Sequence, residues 1–495
     1  MYLLDVQYNR EDSQITCWIK NNDRCLPVSE TYYPQIYTTG NPELKSLIST
    51  LPGVVSADFE NKKTHLSGAA LPLIKIKLKN TQMLYEIAGM LEGRGCMLYN
   101  IDIDPARQYM LGKGIFPMAN MEVDDRYSLD YEIPGLKVME LCVKPEKKRG
   151  IITMDEPIGS ITLGETTIQG NENDMICELS QLVSKEDPDI IITNGGDRFD
   201  IPYLYRRAES LGISFAPGRS KNIAPGKDRS YFSYGRILYK PQGHIFSGRL
   251  HLDRASFMFR EGGLSGLIDL SRITGIPMQE LSRLSPGSAV NSMQVNQALL
   301  EGVLVPWKRN IAENWKTALE LLIADRGALV IEPRVGLHEN AAELDFASLF
   351  PNIMVNHNIS PETVLCPCCT DSKERVPFTG YNICEKQIGL IPRVIKPLIE
   401  RRMAYKKRII EQPEKAEEYE KKQNLLKWLL VTSFGYMGYN KARFGRIECH
   451  ESITAYGRDI LLQTIDLAEE MGFEILHGIV DSLWVKGKDP SELCR

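Results

Sequence analysis

The residues from 343 to 354 constrain this chain more than any other stretch, because they combine a strand pattern, a helix start and one carboxylate. Leu344 and Phe346 alternate with acidic residues, which predicts a strand with one buried face. Pro351 is best tolerated in the first turn of a helix, so a tight turn and a helix should follow. The Asp345 carboxylate would then lie beside free backbone N–H groups, which suits a metal ion carrying a phosphate chain. A single aspartate before a helix is more often a turn cap, so this assignment depends on the rest of the sequence.

The composition is that of a multidomain globular protein. At 495 residues the chain is too long for a single core, and 43% hydrophobic residues are enough to fill several. No apolar run is long enough to span a bilayer, and the first residues lack the pattern of a signal peptide. We therefore predict a cytoplasmic protein without membrane contact, whose eleven cysteines are mostly reduced. The net charge of −5 does not exclude nucleic-acid binding, since basic residues can be confined to one groove.

Three regions precede the segment at 343–354. Short β-like runs and one amphipathic helix predict a mixed α/β region in the first quarter of the chain. Between about 131 and 305, strands and helices alternate, and the apolar run Asp189–Thr193 leads into a turn and a helix over 194–208. A helix over Trp307–Ala324 and a further strand are predicted next.

A cationic helical hairpin follows the segment. A basic helix begins near Pro392, and a charged linker at 413–422 leads into a second helix that contains Lys427. Five cations cluster on the first helix: Arg401, Arg402, Lys406, Lys407 and Arg408. Most charge runs of this kind form a solvated helix face, and the functional alternative is a phosphate-binding surface.

A second carboxylate, Asp481, is predicted in the turn of a hairpin formed by strands at 473–478 and 482–485. Two carboxylates at strand ends, with a cationic hairpin between them in sequence, meet the needs of phosphoryl transfer. Divalent ions can hold the attacking and leaving oxygens, and lysine and arginine can neutralise a triphosphate.

Three motifs then carry a resemblance to a known family. The sequence DFASLFP at 345–351 closely resembles the first palm motif of the family B DNA polymerases. The sequence at 427–439 resembles their fingers motif with its following Gly-Tyr-x-Gly-Tyr, and the sequence at 478–483 resembles their second palm motif. Order, spacing and predicted secondary structure agree, and the resemblance extends from about residue 130 to the end of the chain.

The resemblance implies a multidomain fold of α/β and α+β type. A mixed α/β domain at 1–130 and an RNase H-like 3′–5′ exonuclease-type domain at 131–305 would precede the polymerase. The palm would consist of 306–390 and 441–495, with the fingers hairpin at 391–440 between its two parts. No room remains for a thumb domain, so we expect either a fragment or a thumb supplied by a separate polypeptide.

The resemblance also assigns roles to individual residues. Asp345, Asp481 and the backbone of Phe346 would bind two Mg²⁺ ions, for which Mn²⁺ can substitute. The implied nucleotide-binding residues are Ser348, Leu349, Phe350, Arg402, Lys406, Lys427 and Phe434. The implied contacts to primer–template DNA are Tyr436, Gly438 and Tyr439.

Several departures from the family pattern lower the expected activity. The second palm motif normally reads Asp-Thr-Asp, and here Ile479 replaces the first aspartate, which should weaken metal affinity. Val431 stands where the fingers motif usually has asparagine. Phe350 replaces the usual tyrosine under the sugar, but its ring should still exclude a ribose 2′-hydroxyl. Partly degenerate motifs of this kind resemble an archaeal branch of the family.

The exonuclease-type region departs from the family pattern further. Residues Asn194 to Asp200 match the second exonuclease motif, but the first motif retains only Glu140 and has Val138 in place of aspartate. The third motif ends in Val295 instead of aspartate. Because two-metal hydrolysis needs a cluster of carboxylates, Glu140 and Asp200 alone should not support proofreading.

Four cysteines lie between the first palm motif and the basic helix: Cys366, Cys368, Cys369 and Cys384. Cys366 and Cys369 form one C-x-x-C, and no second C-x-x-C follows. A zinc site would use these two, Cys384, and a fourth ligand from Cys368 or elsewhere. Reduced thiols in an ordinary loop are the alternative.

The leading hypothesis is a magnesium-dependent DNA-directed DNA polymerase of low activity without proofreading. Its partners would be primer–template DNA, deoxynucleoside triphosphates and other replication proteins, in replication or repair. The alternative is a catalytically retired polymerase fold that binds DNA or a partner as a scaffold. The retention of Asp345 and Asp481 together argues against that alternative, and Val138 and Val295 argue against a nuclease.

Overall fold

The computed structural model describes residues 1–122, 124–146, 153–220, 229–233, 236–308 and 313–487. Residues 488–495, which the sequence assigned to the second part of the palm, lie outside the described residues. Within the described part, the strands form five open sheets, and a layer of helices packs against them. The predicted mixed α/β and α+β fold is confirmed. None of the helices described is both long and apolar enough to cross a bilayer.

Two antiparallel sheets form the N-terminal region. Its strands are β1 (Tyr2–Asn9), β2 (Gln14–Asn21), β3 (Arg24–Thr31), β4 (Gln35–Thr38), β5 (Val54–Lys63), β6 (Ala70–Leu78) and β7 (Leu98–Tyr99). The orders are β1-β2-β3 and β5-β6-β4-β7. Its helices are α1 (Pro42–Ser49), α2 (Leu84–Glu92) and α3 (Pro105–Lys113). The α1 and α3 helices start at an Asn-Pro and an Asp-Pro pair, in which the polar side chain caps the first turn and the proline fits its N-terminus.

A mixed five-stranded sheet forms the middle region. The strands of this region are β8 (Val138–Pro145), β9 (Ile158–Leu163), β10 (Thr166–Ile168), β11 (Ile190–Thr193), β12 (Arg229–Ser233), β13 (Arg236–Lys240) and β14 (Leu250–Asp253). The sheet order is β10-β9-β8-β11-β14, and β12 and β13 form a separate hairpin. Strand β11, between β8 and β14, pairs in parallel with both and is buried along its whole length, as its unbroken apolar run predicted. Two helices accompany the sheet: α4 (Glu172–Glu186) and α5 (Asp200–Ser210).

Helices dominate the second half of the chain. They are α6 (Phe257–Thr274), α7 (Met278–Ser282), α8 (Pro286–Leu300), α9 (Ala318–Ala324), α10 (Leu349–Asn356), α11 (Leu390–Glu411), α12 (Ala416–Met437) and α13 (Ile447–Glu470). The helix predicted over Trp307–Ala324 is shorter than expected. It begins only at Ala318, because Thr317 forms a capping box with Glu320 and fixes the helix start there.

The predicted fingers hairpin consists of α11 and α12, joined by a 3₁₀ turn at Pro413–Lys415. The α12 helix packs closely on α6 at two glycines, which lie on either side of a break in α6 at Gly263. A Cβ atom at Gly262 would overlap the side chain of Leu425, and one at Gly266 would lie 3.0 Å from the backbone oxygen of Lys421. One buried apolar cluster includes residues of β11, β14, α6, α8, α10, α11, α12 and α13.

The four-stranded antiparallel palm sheet positions the two candidate carboxylates. Its strands are β15 (Val330–Ile331), β16 (Ala341–Asp345), β17 (Glu474–Ile479) and β18 (Ser482–Lys486), in the order β15-β17-β18-β16. Leu461 and Ala468 of α13 pack with Leu483 and Val485 of β18 in a separate apolar cluster. In the register of β16 and β18, Asp345 lies opposite Ser482, so Asp345 and Asp481 come to the same edge of the sheet.

Candidate active site

Asp345 and Asp481 are neighbours at the end of the palm sheet. The Ser482 hydroxyl donates a hydrogen bond to Oδ2 of Asp345 at 3.0 Å, and the Phe346 N–H donates to the backbone oxygen of Asp481 at 2.8 Å. Val480, in the turn before Asp481, has φ of 58°. A β-branched residue in this left-handed region is uncommon and costs about 1–2 kcal/mol, so the turn is held by its surroundings.

The two carboxylates interact electrostatically. Partial burial raises the pKa of Asp481, and the negative charge of Asp345 raises it further. A divalent cation between the two groups would relieve this repulsion and favour both ionised forms. Carboxylate oxygens at close range are the ligands that Mg²⁺ prefers, so the residues present fit such an ion.

Three cations face this pair from the α11–α12 hairpin. Arg402 donates from Nη1 to the Ser348 hydroxyl at 2.8 Å, which connects α11 to the start of α10. Burial lowers the pKa of Lys406, and the positive charges of Arg402 and Lys427 lower it further. The charges of Glu420 and Asp345 oppose them. Arg402, Lys427 and Asp345 are thus all close enough to Lys406 to interact with it electrostatically. The side chains of Lys406 and Lys427 are exposed to solvent there.

The start of α10 and the end of α12 form an aromatic wall. The rings of Phe350 and Phe434 lie 4.5 Å apart, and Phe434 also stacks on His450 at 4.3 Å. Gly457 of α13 permits this packing, because a Cβ atom there would lie 2.9 Å from Cε1 of Phe350. The side chain of Leu349 points into the core, so only its backbone could contact a nucleotide.

The predicted DNA-contact residues lie just beyond this wall. Tyr436 packs against the start of α8, where a Cβ atom at Gly287 would overlap its ring. The Tyr439 ring lies 5.8 Å from that of Tyr436, edge to face, and is 48% exposed. Gly438 lies against His450. Tyr439 is thus the more accessible of the two tyrosines.

Two of the departures from the family motifs, Ile479 and Val431, lie at the surface. Ile479 ends β17 opposite Ser482 and is 38% exposed, and Val431 on α12 is 56% exposed. Both apolar side chains therefore face solvent at positions where a polar group would normally stand. Neither fills a core, so packing does not explain their presence.

The interpretation of the basic helix as a solvated face is wrong for Arg401. This residue is buried and donates from Nε to Oδ2 of Asp269 on α6 at 3.0 Å. Tyr131 and Tyr405 donate their hydroxyls to the same carboxylate at 2.9 and 2.7 Å. The neighbouring arginines thus differ, since Arg401 joins α11 to α6 and Arg402 faces the carboxylates.

In the middle sheet, Glu140 and Asp200 have different surroundings. Glu140 on β8 forms an ion pair with Arg254, which follows β14. Asp200 is buried at the start of α5, and this burial, together with the charge of Asp253, raises its pKa to about 6. Sequence reasoning missed Asp253, which ends β14 and accepts hydrogen bonds from the backbone of Gly195 and Ala255. The only signal for it was its position at the end of the short stretch Leu250-His-Leu, which forms a buried strand.

The third predicted exonuclease motif lies in a helix. Val295 is on α8 and belongs to the large apolar cluster shared with α6 and α12. A carboxylate at this position would be buried, as Val295 is only 3% exposed.

The four predicted cysteines converge. Their Sγ atoms all lie within 4.8 Å of one another, and three of the four residues are buried. Cys368, which the sequence left as one option for a fourth ligand, completes the group. Four thiols at this spacing could bind a metal ion.

The palm sheet, the cationic hairpin and the exonuclease-type sheet together define a nucleotidyltransferase of the polymerase class. Residues 288–485 match the family model described as "DNA polymerase family B". Residues 138–272 match the one described as "DNA polymerase family B, exonuclease domain". The chain belongs to the family B DNA polymerases, which are DNA-directed nucleotidyltransferases.

Archaeal proteins are among the similar sequences. "DNA polymerase 1" of Pyrococcus abyssi is 27% identical over 568 aligned positions, which cover 99% of this chain and 72% of that protein. "DNA polymerase 2" of Saccharolobus solfataricus is 37% identical over 222 positions, or 45% of this chain and 33% of that protein. The family B DNA polymerase of Pyrobaculum calidifontis shares the fold, with a TM-score of 0.77 at 22% identity over 99% of this chain and 75% of that one.

Proposed function

We propose that this protein extends a primer 3′ end with deoxynucleotides in a template-dependent reaction, with low activity and without proofreading. The observation that carries the proposal is the arrangement of Asp345 and Asp481 at one sheet edge, opposite Arg402, Lys406 and Lys427. Template-dependent incorporation of deoxynucleotides by the purified chain tests it. A retired polymerase fold would bind primer–template without extending it.

Asp345 and Asp481 would hold divalent ions, with the backbone oxygen of Phe346 as a further ligand. Mg²⁺ is the ion proposed, and Mn²⁺ can substitute for it. When bound, such ions supply Lewis-acid stabilisation of the attacking and leaving oxygens. The protein's own contribution is to fix the two carboxylates, which the hydrogen bonds of Ser482 and of the Phe346 N–H accomplish.

The cations of the hairpin would bind the triphosphate. Lys406 and Lys427 are exposed and free to reach phosphate oxygens, and burial preorganises Arg402. The backbone N–H groups at the start of α10, at Ser348 and Leu349, add a helix N-terminus to the same site. Phe434 would lie beside the nascent base pair, and Tyr436, Gly438 and Tyr439 would contact primer–template DNA.

The low proposed activity is attributed to the missing carboxylate at Ile479. We expect Ile479→Asp to lower the Mg²⁺ concentration for half-maximal primer extension by roughly tenfold, because it adds a negative charge beside two existing carboxylates. The position is part-exposed, so the new carboxylate remains hydrated. Magnesium titrations of extension rate measure the effect.

The variant Ile479→Asn is the matched control, since it has the size and polarity of aspartate without the charge. We expect it to leave the magnesium dependence unchanged. If both variants shift the titration equally, polarity and not charge is responsible, and the explanation by metal affinity is wrong.

Phe350 is proposed to exclude ribonucleotides. We expect Phe350→Ala to increase the ratio of ribonucleotide to deoxynucleotide incorporation by roughly 10- to 100-fold, because the ring that would clash with a 2′-hydroxyl is removed. Phe350→Tyr should retain the discrimination of the parent. Competition between labelled nucleotides of the two sugars measures the ratio, and equal incorporation by the unmutated protein would refute the steric role.

Proofreading is proposed to be absent because two family carboxylates are missing and a cation pairs with one of those that remain. Arg254 pairs with Glu140, while the positions of two further family carboxylates hold Val138 and Val295. We expect no nucleotide release from a mismatched, 3′-labelled primer with Mg²⁺ or Mn²⁺, and an identical result for Asp200→Ala. Arg254→Ala should also stay inactive, since it frees Glu140 without adding a carboxylate. Release that is lost on Asp200→Ala would contradict the proposal.

A further inference from the structure

We propose that Cys366, Cys368, Cys369 and Cys384 bind one Zn²⁺ ion in a structural tetrathiolate site. Sγ of Cys368 lies 3.7 Å from Sγ of Cys369 and 3.7 Å from Sγ of Cys384, and Sγ of Cys369 lies 3.9 Å from that of Cys384. A tetrahedral site with Zn–S bonds of about 2.3 Å requires sulfurs roughly 3.8 Å apart. A disulfide would require about 2.05 Å.

The surroundings of the sulfurs are those of metal ligands. Asn382 donates from Nδ2 to Sγ of Cys366 at 3.6 Å, and the same amide also donates to the backbone oxygens of Cys366 and Cys369 at 2.9 and 3.0 Å. Donors that fix the ligands and favour thiolate are typical of structural zinc sites.

The site organises the connection between the palm and the fingers hairpin. Cys384 donates its N–H to the Thr363 oxygen at 2.9 Å, and Asn358 donates from Nδ2 to the Cys384 oxygen at 2.9 Å. Oδ1 of Asn358 accepts from the N–H of Gly389 at 2.7 Å. Gly389 is the N-cap of α11. The cysteine group therefore fixes the start of the helix that carries Arg402, about 18 Å further along its axis.

Zinc occupancy is tested on the full chain, purified under reducing conditions without chelators. We expect about one zinc per chain by elemental analysis, and its loss in Cys366→Ser and Cys384→Ser. Cys142→Ser is the matched control, because that thiol is exposed on β8 and lies outside the group. Iron in place of zinc, visible as thiolate-to-iron absorption, would overturn the choice of metal.

Two measurements on the unmutated protein keep the proposal testable if the serine variants do not fold. A mercurial that modifies the four thiols should release one zinc to a coloured chelator. Replacement by Co²⁺ should give the visible absorption of tetrahedral cobalt thiolate. A chain that holds no zinc and takes up neither ion would overturn the site, as would a disulfide among the four cysteines.

The structural role has its own test. Removal of the metal by a chelator should lower the melting temperature and expose residues 358–389 to limited proteolysis, because the bound metal would cross-link the four cysteines of this segment. Re-addition of Zn²⁺ should restore protection. Zinc that can be removed without any change in cleavage of this segment would overturn the role in fixing α11. Neither result depends on polymerase activity.

Discussion

Replacing Asp345 with asparagine is expected to abolish primer extension, with a loss of at least about 10³-fold in rate. The substitution removes one of two carboxylates that would hold the divalent ions and leaves Ile479 as an uncharged neighbour. No third carboxylate of the family motif is available to compensate. Single-nucleotide incorporation on a labelled primer–template, at millimolar Mg²⁺ and separately at Mn²⁺, measures the loss.

The asparagine variant should remain folded, because its Oδ1 can still accept the hydrogen bond from Ser482. Glu343→Gln is the matched control, since Glu343 is an exposed carboxylate two residues earlier on the same strand. We expect it to extend primers like the parent. Extension that is unaffected by Asp345→Asn would arise from a contaminating enzyme. That result, or no extension by the parent, would favour the scaffold alternative.

Arg401→Met is expected to destabilise the fold by about 3–5 kcal/mol, because it leaves the Asp269 carboxylate buried without its charge partner. Arg401 also donates to the backbone oxygens of Tyr127 and Ser128, so the substitution breaks contacts among three parts of the chain. Urea unfolding followed by circular dichroism measures the loss. The variant Asp269→Asn should also lose stability, because it leaves the Arg401 guanidinium buried without its charge partner.

The loss of stability in Arg401→Met should depend on pH in a defined direction. Burial alone would raise the pKa of Asp269, but the hydrogen bonds and charge of Arg401 hold it below its ordinary value. In the unmutated protein, the ion pair contributes its stability at pH values above about 3.9, the pKa of an aspartate in the unfolded chain. This contribution is lost as the pH falls through the lower pKa that Asp269 has in the folded protein. Without Arg401, burial raises the pKa of Asp269, so the deficit should be largest near neutral pH and shrink towards pH 4.

Arg402→Met is the control that separates the two neighbouring arginines. Arg402 is half-buried and bonds to Ser348 and Gln423, so its loss should cost little stability. It should instead raise the KM for deoxynucleotides. Equal destabilisation by both substitutions would contradict the distinction drawn between them.

Local patterns predicted the elements of the candidate site well, and long-range contacts account for what was missed. Alternation before Asp345 and the position of Pro351 specify a strand, turn and helix from neighbouring residues alone. The contacts of Arg401 with Asp269 and of Arg254 with Glu140 join residues 132 and 114 positions apart, which no local pattern reveals. The start of α9 was predictable, because Thr317 and Glu320 form a capping-box sequence. The domain boundaries stay a prediction.

The apolar cluster that joins β11, α6, α8 and the helices of the palm and fingers has a consequence for how the chain folds. Leu250 and Leu267, from the exonuclease-type half, belong to the same cluster as Leu398 and Leu429 of the fingers hairpin. The glycines at 262 and 266 let α12 pack closely on α6, with the Leu425 side chain over Gly262 and the Lys421 backbone over Gly266. Part of the apolar surface of each half is therefore buried against the other. The exonuclease-type half is therefore a packing partner of the polymerase half, and its removal would expose apolar surface of α12 to solvent.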